Sequence, residues 1–239
     1  MSTCSASGTD AGRQEVATFA GSNVDSRTML HFRLRDAVLR PLLPPGWELD
    51  APRHGCAAGA NLRVTFIDTL AAFDAHGTPR SAVCYVLVGI AARRSDSSQG
   101  GLLLMAGLSP AGPGPYKTNA SASAQVARGI LHGTERSVAQ ESWSFQGSGG
   151  SIRLQLEFVR GVAAREQSRL QVFSGVVPAF SRIYRYDQFV DVIQEERLMK
   201  LEFTAAGDLF SSLFDGSEHL VCTLSIPSYS RSIFVPRPS

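Results

Sequence analysis

Lysine is nearly missing from this 239-residue chain. Only Lys117 and Lys200 carry it, and the remaining cationic side chains are arginines. Chemistry that needs a neutral amine, such as imine formation, therefore has two candidates, whereas arginine suits two-pronged capture of carboxylates. Cysteine is also scarce. Cys4, Cys56, Cys84 and Cys222 form no Cys-x-x-Cys pair, and no histidine stands at zinc-ligand spacing from them. That excludes the common zinc and dithiol motifs; Cys84 and Cys222 fall in apolar runs and are expected as buried thiols. No run approaches the roughly 20 apolar residues of a membrane span. The Ser/Gly/Thr-rich start, Met1 to Arg13, has no apolar signal core, so a cytoplasmic protein without a membrane partner is expected. There is no P-loop, no Gly-x-Gly-x-x-Gly after a strand and no His-Glu-x-x-His, so no cofactor is expected. A net charge of +2 gives no general electrostatic grip on nucleic acid.

What the chain has in quantity is apolar residues, 44% against 18% charged, enough for a substantial core and too many for a disordered chain. Met1 to about Asp25 is small and polar and is expected to be a flexible arm. Residues 26–239 are expected to form one domain. Thr28–Leu34 reads as a strand. Arg35–Leu43 carries Ala37, Val38, Leu39, Leu42 and Leu43 at helical spacing, and Pro44-Pro45-Gly46 stops it. Further strands are expected over 62–70, 81–92, 102–108, 138–145, 169–177, 198–204, 219–225 and 230–235. The clearest is Ile152, Leu154, Leu156 and Phe158 alternating with Arg153, Gln155 and Glu157, a half-buried antiparallel strand. Ala120–Leu131, rich in alanine, is expected to be a short helix, and 208–214 a helical turn or two. Nine or ten strands, short helices and the absence of a β-α-β rhythm predict an α+β, mainly β fold: a closed antiparallel barrel or sandwich with peripheral helices.

Two stretches carry candidate chemistry. Arg128 to Ala139 packs Arg128, His132, Glu135 and Arg136 into nine residues of a chain otherwise poor in charge. Glu135 is a candidate general acid or base, with His132 able to share its face on a helical turn. Arg128 and Arg136 are candidates for holding a carboxylate or enolate oxygen. The second stretch, Ser109 to Tyr116, has three prolines and two glycines, which forbid regular structure. It can fold over a cavity mouth and bring Tyr116 and Lys117 to a substrate. Arg33 shares a strand face with His31 and Arg35, either a lumen face that binds an acidic substrate or simply the wet face. Phe180, Tyr184, Tyr186 and Phe189 read as core packing more readily than as a substrate box.

The run from Phe32 to Pro44, followed by Gly46 and Leu49, resembles the opening of the acetoacetate decarboxylase-like superfamily. So do Arg160-Gly161 after an alternating strand, and Ile183 to Gln188 before Val190-Asp191-Val192. The resemblance runs loosely from residue 28 to the C-terminus. It implies a closed antiparallel β structure with outer helices, an internal cavity and a homo-oligomeric assembly. The decarboxylases of that superfamily use a Gly-x-Pro-Lys-type segment whose lysine forms a Schiff base. Laid on this chain, that segment puts Thr134 at the proline, Glu135 at the lysine and Arg136 at the neighbouring cation, with no lysine in reach. The resemblance thus implies a divergent member without the Schiff-base lysine. It would be a small-molecule enzyme acting on a carbonyl-rich, polyketide-like or keto acid metabolite in an apolar cavity, as a cyclase or lyase. Decarboxylation through Lys117 and non-catalytic binding of a hydrophobic ligand are the alternatives.

Overall fold

The computed structural model describes residues 17–98, 100–177, 179–208 and 210–237. Thirteen strands follow one another: β1 (Ala17–Arg33), β2 (Trp47–Leu49), β3 (Leu62–Asp74), β4 (Pro79–Arg80), β5 (Cys84–Arg94), β6 (Gly100–Ser109), β7 (Asn119–His132), β8 (Ser137–Gly147), β9 (Gly150–Val159), β10 (Ala164–Ser174), β11 (Ser181–Ile193), β12 (Leu198–Ala206) and β13 (His219–Pro236). One α-helical turn, α1 (Asp36–Leu39), runs into a 3₁₀ turn at Arg40–Leu42, where the Pro-Pro-Gly stop cuts the helix short.

All the strands belong to one large mixed sheet. The pairings β5–β6, β6–β10, β10–β11, β11–β13, β13–β1, β1–β3 and β3–β5 lead back to their first strand. Seven strands thus form a ring of pairings. β7, β8, β9 and β12 form an antiparallel extension that leaves the ring at β6. The expectation of a wholly antiparallel sheet is corrected here: β6 runs parallel to both β7 and β10, over three residue pairs each. Parallel neighbours cannot be joined by a tight hairpin, and the Pro/Gly loop after Ser109 supplies the crossover to β7. Glycines allow the close approach. A Cβ on Gly101 would lie 2.5 Å from the Gln171 carbonyl of β10, and one on Gly107 2.6 Å from the Val86 carbonyl of β5.

Period-two alternation sorts the side chains into two apolar bodies. Leu30, Phe32, Leu62, Val64, Phe66, Val88 and Ile90 point out of the ring and meet Trp143, Phe145, Ile152, Leu154 and Phe158 of the extension. Phe66 lies 5.6 Å from Trp143 and 6.4 Å from Phe145, centroid to centroid. Each such buried side chain contributes roughly 1.5–3 kcal/mol. The opposite faces, with Met29, Leu102, Leu104, Val172, Tyr184, Tyr186, Tyr229 and Ile233, fill the lumen.

Several expectations change. Residues 120–131 are strand, not helix. Ala120, Ala122, Ala124 and Val126 pack on the core while Ser121, Ser123 and Gln125 are exposed, a period of two that alanine's weak hydrophobic contrast disguises. Residues 17–25, read as part of an arm, are the first half of β1; residues 1–16 lie outside the described residues. The two closing strands are one, β13, with a register shift around Pro227, where a missing N–H is tolerated. Residues 208 and 210–214 are turns and not a continuous helix; the Ser211 N–H meets the Gly207 carbonyl at 2.9 Å and the Phe214 N–H the Phe210 carbonyl at 3.0 Å, in keeping with the one or two helical turns expected there.

Candidate active site

The lumen encloses a cavity of about 460 Å³, within the range of metabolite sites. Its walls are apolar at Ile67, Leu87, Leu102, Leu104, Val172 and Ile233, and its polar lining is mainly arginine and tyrosine: Arg27, Arg63, Arg182, Arg231, Tyr85, Tyr116, Tyr184 and Tyr186. Register brings these together from distant parts of the chain. Arg27 of β1 faces Ile67 of β3 and Ile226 of β13; His31 faces Arg63 and Cys222; Arg231 of β13 faces Tyr186 of β11.

The charges are unevenly matched. Arg231 contacts Asp25 at 3.1 Å, at an angle that leaves the carboxylate oxygen without a hydrogen bond, and donates to the Tyr85 hydroxyl at 3.1 Å. Thr69 donates to the other Asp25 oxygen at 2.7 Å. Arg80 at the rim pairs with Asp74 at 3.5 Å. Arg27 donates to the side-chain amide oxygen of Gln188 and lies between the rings of Tyr186 and Tyr229, at 4.6 and 4.4 Å. Arg182 stacks over Phe180 at 5.6 Å. Among the described residues no carboxylate pairs with Arg27, Arg63 or Arg182, and the Nε of each is buried without a partner. Burial, with Arg27 adding like charge, pushes Arg63 down to about 10. His31 is pushed down to about 3 by burial first and then by Arg63 and Arg27, so its ring is neutral at pH 7.

The mouth is formed by the loop after β6. Tyr116, buried at 7% exposure, turns its hydroxyl onto that of Tyr184 at 2.8 Å and its ring edge onto Phe180 at 5.1 Å. Ser174 donates to the Tyr116 carbonyl at 2.6 Å and holds the loop down. Burial raises the Tyr116 phenol well above its ordinary value, Tyr184 adding to the effect. Burial likewise raises Tyr85 to about 12. At neutral pH these phenols stay protonated. The cavity therefore offers donors, guanidinium and phenol, to a ligand that brings acceptors and negative charge.

The residues picked from sequence distribute differently. Glu135 and Arg136 sit in the exposed β7–β8 turn, and His132 beside them meets the Ser137 hydroxyl at 3.1 Å. They border a shallow surface depression and do not line the lumen. The reason is local: Gly133 accepts the reversal and its N–H bonds the Arg136 carbonyl at 3.0 Å, so the charged turn points outward. Arg128 lies in the seam between the ring and the extension. It contacts the buried Glu141 at 3.0 Å, donates to the Ser26 hydroxyl and lies 5.6 Å from the Trp143 ring. Glu141 also accepts from Trp143 Nε1 at 3.0 Å and from Thr28, a hub that ties the extension to β1. Arg33 is exposed at the end of β1 and pairs with Asp36 at 2.9 Å. Lys117 is exposed at the cavity mouth with φ +59°. Of the residues picked, only Tyr116 lines the cavity. Arg27, Arg63, Arg182, Arg231 and Tyr85 were missed. Their signal was polar residues at alternate positions of otherwise apolar strands, as in Leu62-Arg63-Val64-Thr65-Phe66.

This is an acetoacetate decarboxylase-like fold. Two solved structures carry the comparison. One is MppR, an enduracididine biosynthesis enzyme, in complex with the condensation product of pyruvate and imidazole 4-carboxaldehyde; it is 12% identical, covering 90% of this chain and 87% of its own, with a TM-score of 0.55. The other is an acetoacetate decarboxylase-like enzyme from Sphingomonas wittichii RW1, 11% identical, covering 96% and 97%, with a TM-score of 0.55. No family model matches the sequence, and no curated protein matches it as a relative. No described helix is long and apolar enough to cross a membrane.

Proposed function

We propose that this chain is a small-molecule enzyme that holds a carbonyl-bearing anion, a keto acid or polyketide-like metabolite, in the lumen. It converts that substrate as a lyase or cyclase, by aldol-type addition, dehydration or cyclisation, without a Schiff-base lysine. The observation that carries this reading is the surplus of guanidinium in an apolar cavity. Charge without a counter-ion in an apolar cavity destabilises a fold, so a site that keeps the buried Arg27 and the half-buried Arg63 and Arg182 without a carboxylate partner among the described residues is built to receive an anion. Arg27 and Arg63 hold the substrate carboxylate. The Tyr116–Tyr184 hydroxyl pair donates to the carbonyl oxygen and stabilises the enolate left when water entering at the cavity mouth takes the proton from the adjacent carbon and passes it to bulk solvent. The apolar walls supply proximity and orientation. That MppR binds a condensation product of pyruvate and an aldehyde supports the aldol-type variant.

The test is exchange of the methyl protons of pyruvate in D₂O, followed by NMR. The wild type is expected to accelerate exchange. Tyr116→Phe is expected to lower the rate by roughly 10²–10³, the usual effect of losing one oxyanion donor. Exchange no faster than in buffer across a panel of 2-oxo and 3-oxo acids overturns the enzymatic reading; ligand binding without exchange would assign the cavity to a non-catalytic binding protein. A second reading, decarboxylation through Lys117, is favoured by one observation: Lys117 follows Tyr116 directly, in a left-handed conformation that costs a non-glycine residue about 1–3 kcal/mol. Borohydride reduction in the presence of a keto acid discriminates, since a mass gain on Lys117 supports that reading alone.

A further inference from the structure

We infer that the cavity takes a two-ended dianion, a dicarboxylate held between Arg63 on one wall and Arg182 on the opposite wall. The inference rests on the lumen being the working site and goes beyond it by naming the charge and shape of the ligand. In the ring of seven strands, β3 and β11 are separated by β1 and β13 on one side and by β5, β6 and β10 on the other. Arg63 and Arg182 therefore stand across the lumen from each other, and both line the cavity. The other wall charges are answered from within the protein: Arg231 by Asp25 and Arg80 by Asp74. Arg27 has the faces of two tyrosine rings and the side-chain amide oxygen of Gln188. Arg63 has no such partner among the described residues, and Arg182 has only the Phe180 ring.

A monocarboxylate would answer one of these guanidinium groups and leave the other unopposed in a cavity walled by Leu87, Leu102, Leu104 and Val172. Two carboxylates at the ends of a short apolar spacer answer both, and the spacer meets the apolar wall. A guanidinium fork matches a carboxylate in two-pronged geometry. The strong downward pressure on Arg63 from burial and from Arg27 is relieved by the same ligand.

Isothermal titration of the full chain with unreactive saturated acids tests the proposal. Succinate, glutarate and adipate are compared with butyrate, valerate and hexanoate at pH 7 and low salt. At the chain length that spans the lumen, the diacid is expected to bind about tenfold or more tightly than the monoacid of equal carbon number, the scale of one charge-assisted contact. Arg182→Met is expected to bring that ratio close to one. Arg182→Lys, which keeps the charge and loses the fork, should give an intermediate ratio. Arg165→Met, on the exposed face of β10, should leave the wild-type ratio. Mono- and diacids binding equally, or a ratio indifferent to both Arg182 substitutions, overturns the dianion while leaving the cavity an anion site. Binding of neither class overturns the functional reading as well.

Discussion

Replacing Arg63 by methionine is expected to make the ligand-free protein more stable and to weaken its grip on dicarboxylates. Arg63 lies between His31 of β1 and Gly89 of β5, and no carboxylate pairs with it among the described residues. Its guanidinium is pushed down from its ordinary value to about 10 by burial and by Arg27. The charged form is the disfavoured one. Because Arg63 is protonated at pH 7 both folded and unfolded, the folded state bears the whole penalty at that pH. Undiminished, the shift corresponds to about 3 kcal/mol. The side chain is only half-buried and water in the cavity screens it, which leaves about 1–2 kcal/mol. Methionine removes the penalty and fills similar volume along the Leu87 and Leu102 wall. For a chain of this length each kcal/mol moves Tm by about 2–4 °C, so a rise of about 2–8 °C is expected by scanning calorimetry without ligand, with a matching shift of the urea midpoint. Added dicarboxylate should raise the wild-type Tm and raise that of the variant by less. A variant that melts lower than wild type and responds to ligand as strongly as wild type refutes the reasoning, because Arg63 would then be a satisfied structural residue.

Other predictions concern groups with named partners. Glu141→Ala leaves Arg128, Trp143 and Thr28 without their acceptor and is expected to destabilise by about 3–5 kcal/mol. Glu141→Gln keeps one acceptor oxygen and should lose only about 1–2 kcal/mol; equal urea midpoints for the two variants would contradict the hub. His31 has its folded pKa lowered from 6.5 to about 3, so the unfolded chain takes up the proton first. Stability present above pH 6.5 is lost as pH falls towards 3, by about 2–3 kcal/mol at pH 4.5. His31→Gln should flatten the acid limb of the Tm–pH curve, and an unchanged slope counts against burial as the cause. Cys56 is brought down to about 7, chiefly by a hydrogen bond with Cys222, whereas burial raises Cys84. Iodoacetamide at pH 7 should modify Cys56 well before Cys84, and Cys222→Ala should slow that reaction; peptide mass mapping that finds the two thiols equally reactive contradicts the assignment.

Much of the fold was legible because strand periodicity is local. Ile152 to Phe158 alternates cleanly and is β9; the prolines after Ser109 mark the loop that roofs the cavity; Pro44-Pro45-Gly46 ends the one helical turn. β7 resembles a helix in sequence because alanine is a strong helix former and hardly contrasts with serine, which hides the alternation of Ala120, Ala122 and Ala124 with serines. The parallel pairing of β6 with β10 depends on where the chain returns after β9, which no local pattern encodes. The site was less legible still. Glu135, His132 and Arg136 stand out as a cluster because they are close in sequence, yet closeness in sequence is what a solvated hairpin turn provides. The lumen assembles Arg27, Arg63, Tyr85, Tyr184 and Arg231 from five strands, and only register places them together. Their trace was one cation at an alternate position in each of several apolar strands, too thin to read without knowing that those positions share one interior.

The most direct test of the account is pyruvate binding, by isothermal titration, in two double variants: Arg27→Met with Arg63→Met in the lumen, and His132→Ala with Glu135→Gln in the hairpin turn. The account predicts that the lumen pair loses binding and the hairpin pair binds as the wild type does. Retained binding in the lumen pair with loss in the hairpin pair would contradict it.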